Sequence, residues 1–103
     1  MAVVPVHRAS KLSVDYDRDS DVLYVAIGEP RPAEGEEGPR GVVYRYAVDD
    51  NTACGVTIVG FRRNGWGEAA PKLADLIANQ LHVEAGPIEK MICRSIAATT
   101  KSR

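Results

Sequence analysis

Four aspartates fall at alternate positions, Asp15, Asp17, Asp19 and Asp21, and oxygen ligands so spaced are how a calcium-binding loop begins. The remainder of such a loop is missing. Counted from Asp15, the sixth position is Ser20 in place of the turn glycine and the twelfth is Ala26 in place of a bidentate glutamate; counting from Asp17 gives Val22 and Gly28. A hairpin turn whose aspartates bond nearby backbone groups is therefore expected, and no metal site. His7 and His82 are far apart, and neither lies in a His-Glu-x-x-His pattern or beside cysteines at zinc spacing. Cys54 and Cys93 form no Cys-x-x-Cys pair; Cys93 lies beside an apolar helical stripe, where a thiol acts as a small hydrophobe. No metal or cofactor is expected.

Glu34, Glu36 and Glu37 supply closely spaced carboxylates, but acid–base catalysis requires groups held in fixed positions, and their segment reads as a mobile loop. Gly65-Trp66-Gly67 follows Arg62 and Arg63. A tryptophan there either plugs one end of the core or, with the two arginines, forms a contact anchor for a partner, since both residue types are enriched at such sites. Trp66, Arg62 and Arg63 are the candidate partner-binding residues; no catalytic, cofactor or metal residue is assigned.

The chain of 103 residues, 45% hydrophobic and 26% charged, has the composition of one small globular domain. No apolar run approaches the ~20 residues of a membrane-spanning helix. The start Met1-Ala2-Val3-Val4-Pro5 lacks the basic and apolar regions of a secretory signal, and two cysteines make no disulfide framework, so a reducing cytoplasm is expected. The net charge of −1 argues against a general nucleic-acid binder, and six aromatic residues give little stacking surface. The charge is unevenly spread, with five basic residues against ten acidic between Ser10 and Gly60, then seven against four from Phe61 to Arg103. An acidic front half suits a basic partner.

Alternation of Leu12, Val14 and Tyr16 with Ser13 and Asp15 predicts a strand, and Asp17 to Asp21 a turn. Val22 to Ile27, apolar on both faces, predicts an interior strand. Residues 28–41 hold four glycines and three prolines and read as a loop. Val42 to Val48 predicts a third strand, with Val42, Tyr44, Tyr46 and Val48 on one face; Asp49-Asp50-Asn51 predicts a turn and Val56 to Phe61 a fourth strand. Leu73, Leu76, Ile77 and Leu81 after Pro71, then Ile88, Met91, Ile92 and Ile96 after Pro87, have helical spacing. The expected fold is α+β: a four-stranded antiparallel meander over 12–61, then a helical extension over 68–98 with helices near Pro71–Leu81 and Pro87–Ala97 packed on one face, and a frayed tail over 99–103. Strands apolar on both faces exceed what two short helices cover, so a two-fold homodimer is also expected.

The run Tyr16-Asp17, then Asp21, then Leu23-Tyr24-Val25, followed at a distance by Gly41 to Tyr46 and Gly55 to Val59, resembles the small bacterial proteins called domain of unknown function 2283 over about residues 12–61. Members usually have a shorter loop and an acidic second hairpin; this chain has the long loop, Arg45 and Ala47 there, and a further helical extension. The resemblance implies a small antiparallel sheet and frequent occurrence beside small toxin-like genes, and it supplies no catalytic residues. Two function classes stand: a non-catalytic, antitoxin-like interaction module that takes a small basic protein, and a small enzyme using carboxylates of the acidic hairpin or loop. Neighbouring genes discriminate them.

Overall fold

The computed structural model describes residues 12–101. Strand β1 (Leu12–Asp17) turns through Arg18 to Asp21 into β2 (Val22–Ile27). Further along are β3 (Ala33–Glu37), β4 (Val42–Ala47) and β5 (Ala53–Val59), followed by helices α1 (Ala70–Leu81) and α2 (Ala85–Lys101). All strand pairs are antiparallel. The α+β class, the antiparallel sheet and the two C-terminal helices stand as the sequence predicts.

Two parts of the expected sheet are corrected. It has five strands, because the segment expected to be a loop supplies β3. It is not a meander, because the order is β1-β2-β5-β4-β3, with β5 between β2 and β4. Burial accounts for the order: pairing β2 with β5 sets Leu23 beside Ile58 and Val25 beside Val56, all at most 3% exposed. The chain must then cross from the second to the fifth position, three strand spacings or ~14 Å. Gly28 to Pro32 makes that crossing, within the ~17 Å reach of five extended residues, and Pro30 and Pro32 favour extended backbone.

Among the described residues β3 is an edge strand bonded on one side only, and Glu34 to Glu37 are exposed, so no buried face imposes alternation on its sequence. Its return to β4 is a 3-10 turn, Pro39–Gly41, where Arg40 takes a left-handed conformation at φ 55°. Gly41 has φ 82°, and a Cβ there would run into the Val59 carbonyl oxygen, so glycine is required where the turn crosses the end of β5. An irregularity in the β4–β5 pairing at Arg45/Tyr46 ends the expected alternation: Ala47 is buried while Val48 is 59% exposed.

Both helices pack on one face of the sheet, α2 against β1 and α1 against β5. Leu73, Ile77, Ile88 and Ile92 are fully buried with Leu23, Val42, Val56, Ile58 and Phe61. α1 stops at His82, whose left-handed conformation at φ 60° lets its N–H reach the Ala78 carbonyl. α2 runs past the expected Ala97, and Thr99 to Lys101 continue its backbone; Ser102 and Arg103 lie outside the described residues. Cys93, one residue beyond Ile92, is exposed and is not the small core hydrophobe that its neighbours suggest.

Among the described residues, no helix lies over the other face of the sheet. Alternation sends Val22, Tyr24 and Ala26 of β2, Thr57 and Val59 of β5, and Val43 and Arg45 of β4 to that face. Tyr24 is 46% exposed and Val59 43%.

Candidate functional site

The aspartate cluster resolves into separate tasks. Asp17 Oδ1 accepts the Asp19 N–H at 3.1 Å, closing the β1–β2 turn. Asp21 sits at φ 60° and points across the sheet end to the turn after β5. Its Oδ1 accepts the Tyr16 hydroxyl at 2.7 Å and the Arg62 N–H at 2.9 Å, and its Oδ2 accepts the Arg63 N–H at 3.1 Å. The Asp21 main-chain carbonyl takes the Phe61 N–H at 2.9 Å. Burial pushes the Asp21 carboxyl upward, but the Arg62 N–H, the Tyr16 hydroxyl, and the N–H and charge of Arg63 outweigh it and hold it below its ordinary value. Burial, then the bond and negative charge of Asp21, push the Tyr16 phenol up. One carboxylate thus ties the first hairpin to the turn that carries Arg62 and Arg63. Asp15 and Asp19 remain exposed, and among the described residues no three His, Cys, Asp or Glu side chains gather as a metal set.

That turn is held from a second side. Trp66 opens a 3-10 turn, Trp66–Glu68, behind Gly65 at φ 82°. It is 5% exposed, and its Nε1–H donates to the Arg40 carbonyl at 2.9 Å. The Arg40 guanidinium lies 4.0 Å from the ring centroid and donates through Nη2 to the Asn64 carbonyl at 2.7 Å. Trp66 and Arg40 therefore lock the 39–41 and 61–66 turns together, and the Phe61 ring lies tilted at 57° to that of Tyr16, centroids 5.4 Å apart. Of the three residues singled out as contact anchors, Arg62 and Arg63 are exposed and Trp66 is inside the core. Nothing in the sequence singled out Arg40; its place among glycines and prolines concealed its partner.

A third polar cluster closes the crossover. Arg31 Nη2 reaches Asp49 Oδ1 at 2.8 Å and Asp50 Oδ1 at 2.9 Å, across the β4–β5 turn. The Thr52 hydroxyl and N–H, at 2.7 and 3.1 Å, do most to hold the Asp50 carboxyl at about 2, and Arg31 adds to them. Nearby, a groove is lined by Ile27, Arg31, Cys54, Leu81 and His82. His7 lies outside the described residues.

The three glutamates are not gathered. Glu34 and Glu36 share the face of β3 opposite Tyr46 and Tyr44, and Glu37, opposite Val43, lies on the other. All are exposed, and among the described residues none has an ion-pair partner. What the arrangement presents is a locked sheet end, an uncovered sheet face with an apolar centre, and an acidic edge strand.

Residues 13–62 match the family Protein of unknown function (DUF2283). The DUF2283 segment runs from Ser13 of β1 to Arg62 of the Asp21-bound turn, so it takes in the sheet apart from Leu12, while Arg63, Trp66 and both helices lie beyond. No curated protein and no solved structure matches the chain. Among the described residues, no helix is long and apolar enough to cross a membrane.

Proposed function

We propose that the protein is a non-catalytic interaction module, antitoxin-like in its role, whose acidic sheet receives a small basic protein. The observation that carries this reading is the exposed edge strand β3, with Glu34, Glu36 and Glu37 unpaired by any cation among the described residues. Complementary charge speeds encounter and selects partners. Arg62 and Arg63, exposed on the clamped turn, are further contacts, and buried Trp66 supports them from inside. The test is capture of the tagged protein from its native cell in mild salt, with the companion identified by mass. A stoichiometric companion of basic sequence is expected, and recovery of the protein alone removes the reading. The enzyme alternative gains support if the protein is recovered alone and turns over a substrate that is lost on Glu34→Gln with Glu36→Gln.

The uncovered sheet face carries the second part of the proposal, a two-fold homodimer. Tyr24 and Val59 are exposed there, on interior strands whose other face buries Leu23, Val25, Val56 and Ile58. Light scattering at micromolar concentration is expected to give twice the chain mass for wild type and the chain mass for Tyr24→Lys. A monomer mass for wild type contradicts it.

A further inference from the structure

The edge of β3 offers more than charge. At the two ends of the β3–β4 pair, the Gly38 N–H donates to the Val42 carbonyl at 2.7 Å and the Val48 N–H to the Pro32 carbonyl at 2.9 Å. In an antiparallel ladder, bonded residues alternate, so Pro32, Glu34, Glu36 and Gly38 turn their main-chain groups toward β4. Ala33, Gly35 and Glu37 turn theirs outward. Among the described residues, the one side chain that reaches this outer row is Arg45, whose Nη2 lies 3.5 Å from the Ala33 carbonyl. The opposite edge is shielded: on β1 the Tyr16 N–H is taken by the Ser95 hydroxyl of α2 at 3.0 Å.

An open row of donors and acceptors is a template for another strand. A second copy of β3 is a poor occupant. With Gly35 opposite Gly35 of the other copy, Glu34 faces Glu36 and Glu36 faces Glu34, and like charges directly opposite are destabilising. A strand with lysine or arginine at alternate positions sets cations against Glu34 and Glu36 instead. We infer that β3 is an acceptor edge for an extended basic segment of the partner, which adds antiparallel as a sixth strand through the main chain of Ala33, Gly35 and Glu37. This deepens the reading of the protein as a module for a basic partner and rests on it.

The probe is a blocked nonapeptide alternating lysine and valine. The expected result is saturable binding that slows amide exchange at Ala33, Gly35 and Glu37 more than tenfold at saturation. Glu34→Gln with Glu36→Gln weakens it about fivefold, and both changes lie on an exposed edge where folding is insensitive to them. In an antiparallel addition the valine amides face β3, so N-methylation of those amides abolishes binding and N-methylation of the lysine amides leaves it within about twofold. Two results overturn the inference: both methylated peptides bind like the parent, as charge attraction alone requires, or exchange protection falls on the Tyr24 and Val59 face. The wider reading is separated from this one by the native companion. A basic companion retained undiminished by the double glutamine variant removes the edge and keeps the module; a peptide that adds to β3 with no native companion does the reverse.

Discussion

Trp66→Ala is expected to destabilise the fold by about 3–5 kcal/mol, the range for truncating a large buried aromatic. The ring is 5% exposed, so its removal opens a cavity between the sheet end and the helices. It also strands two other groups. The Arg40 carbonyl loses the indole N–H at 2.9 Å, and the Arg40 guanidinium loses the face on which it lies at 4.0 Å. Since ~1 kcal/mol shifts the melting temperature of a domain this size by ~4–8 °C, a drop of about 12 °C or more follows. Arg62→Ala and Arg63→Ala are exposed side-chain truncations and stay within about 0.5 kcal/mol of wild type. Chemical denaturation of the three variants checks this, and a Trp66→Ala midpoint equal to that of Arg62→Ala contradicts it.

Asp21→Ala carries the next largest effect, about 3 kcal/mol. Its carboxylate accepts from Tyr16, Arg62 and Arg63, and hydrogen bonds to a charged group contribute about 1.5–3 kcal/mol each before the two main-chain amides regain water. Alanine is also a poor occupant of φ 60°. Asp21→Asn, which tolerates that conformation and keeps one acceptor oxygen, loses less. The pH dependence follows from the carboxyl's lowered pKa. Its contribution is fully present above the unfolded value near 3.8 and is lost as pH falls through the lower folded value. Wild type and Asp21→Asn therefore converge in stability as pH is brought down through that window. A difference between them that is constant from pH 6 to pH 2 contradicts the clamp.

Much of the fold is legible in the sequence because burial writes it there. Alternation marks β1, the doubly apolar run marks β2 as interior, and helical spacing marks α1 and α2. β3 is illegible for the opposite reason. Ala33-Glu34-Gly35-Glu36-Glu37 buries almost nothing, and its place is set by main-chain bonds to β4 that leave no side-chain pattern. The strand order escapes for a related reason: sequential neighbours are the default, and β4 is as apolar as β5, so composition does not signal that β2 pairs with β5.

The candidate site was half visible. The aspartate run reads as a turn, and Asp17 makes one, but nothing local reveals that Asp21 reaches residues more than forty positions away. Gly65-Trp66-Gly67 stands out by composition, but only the structure shows the ring buried, with the Arg40 guanidinium over it and the Arg40 carbonyl on the indole N–H. The glutamates of β3 are plain in the sequence. Their significance depends on the strand beneath them, which turns a run of solvated charge into an ordered edge.

The measurement that bears most directly on the central claim is a paired capture from the native cell: tagged wild type beside tagged Glu34→Lys with Glu36→Lys, in mild salt, with companions quantified by mass. A basic companion, near one per chain, is expected on wild type, with its loss by at least tenfold on the charge-reversed variant. Equal recovery on both proteins, or a companion of acidic sequence, would contradict the assignment of the acidic sheet as the receiving surface.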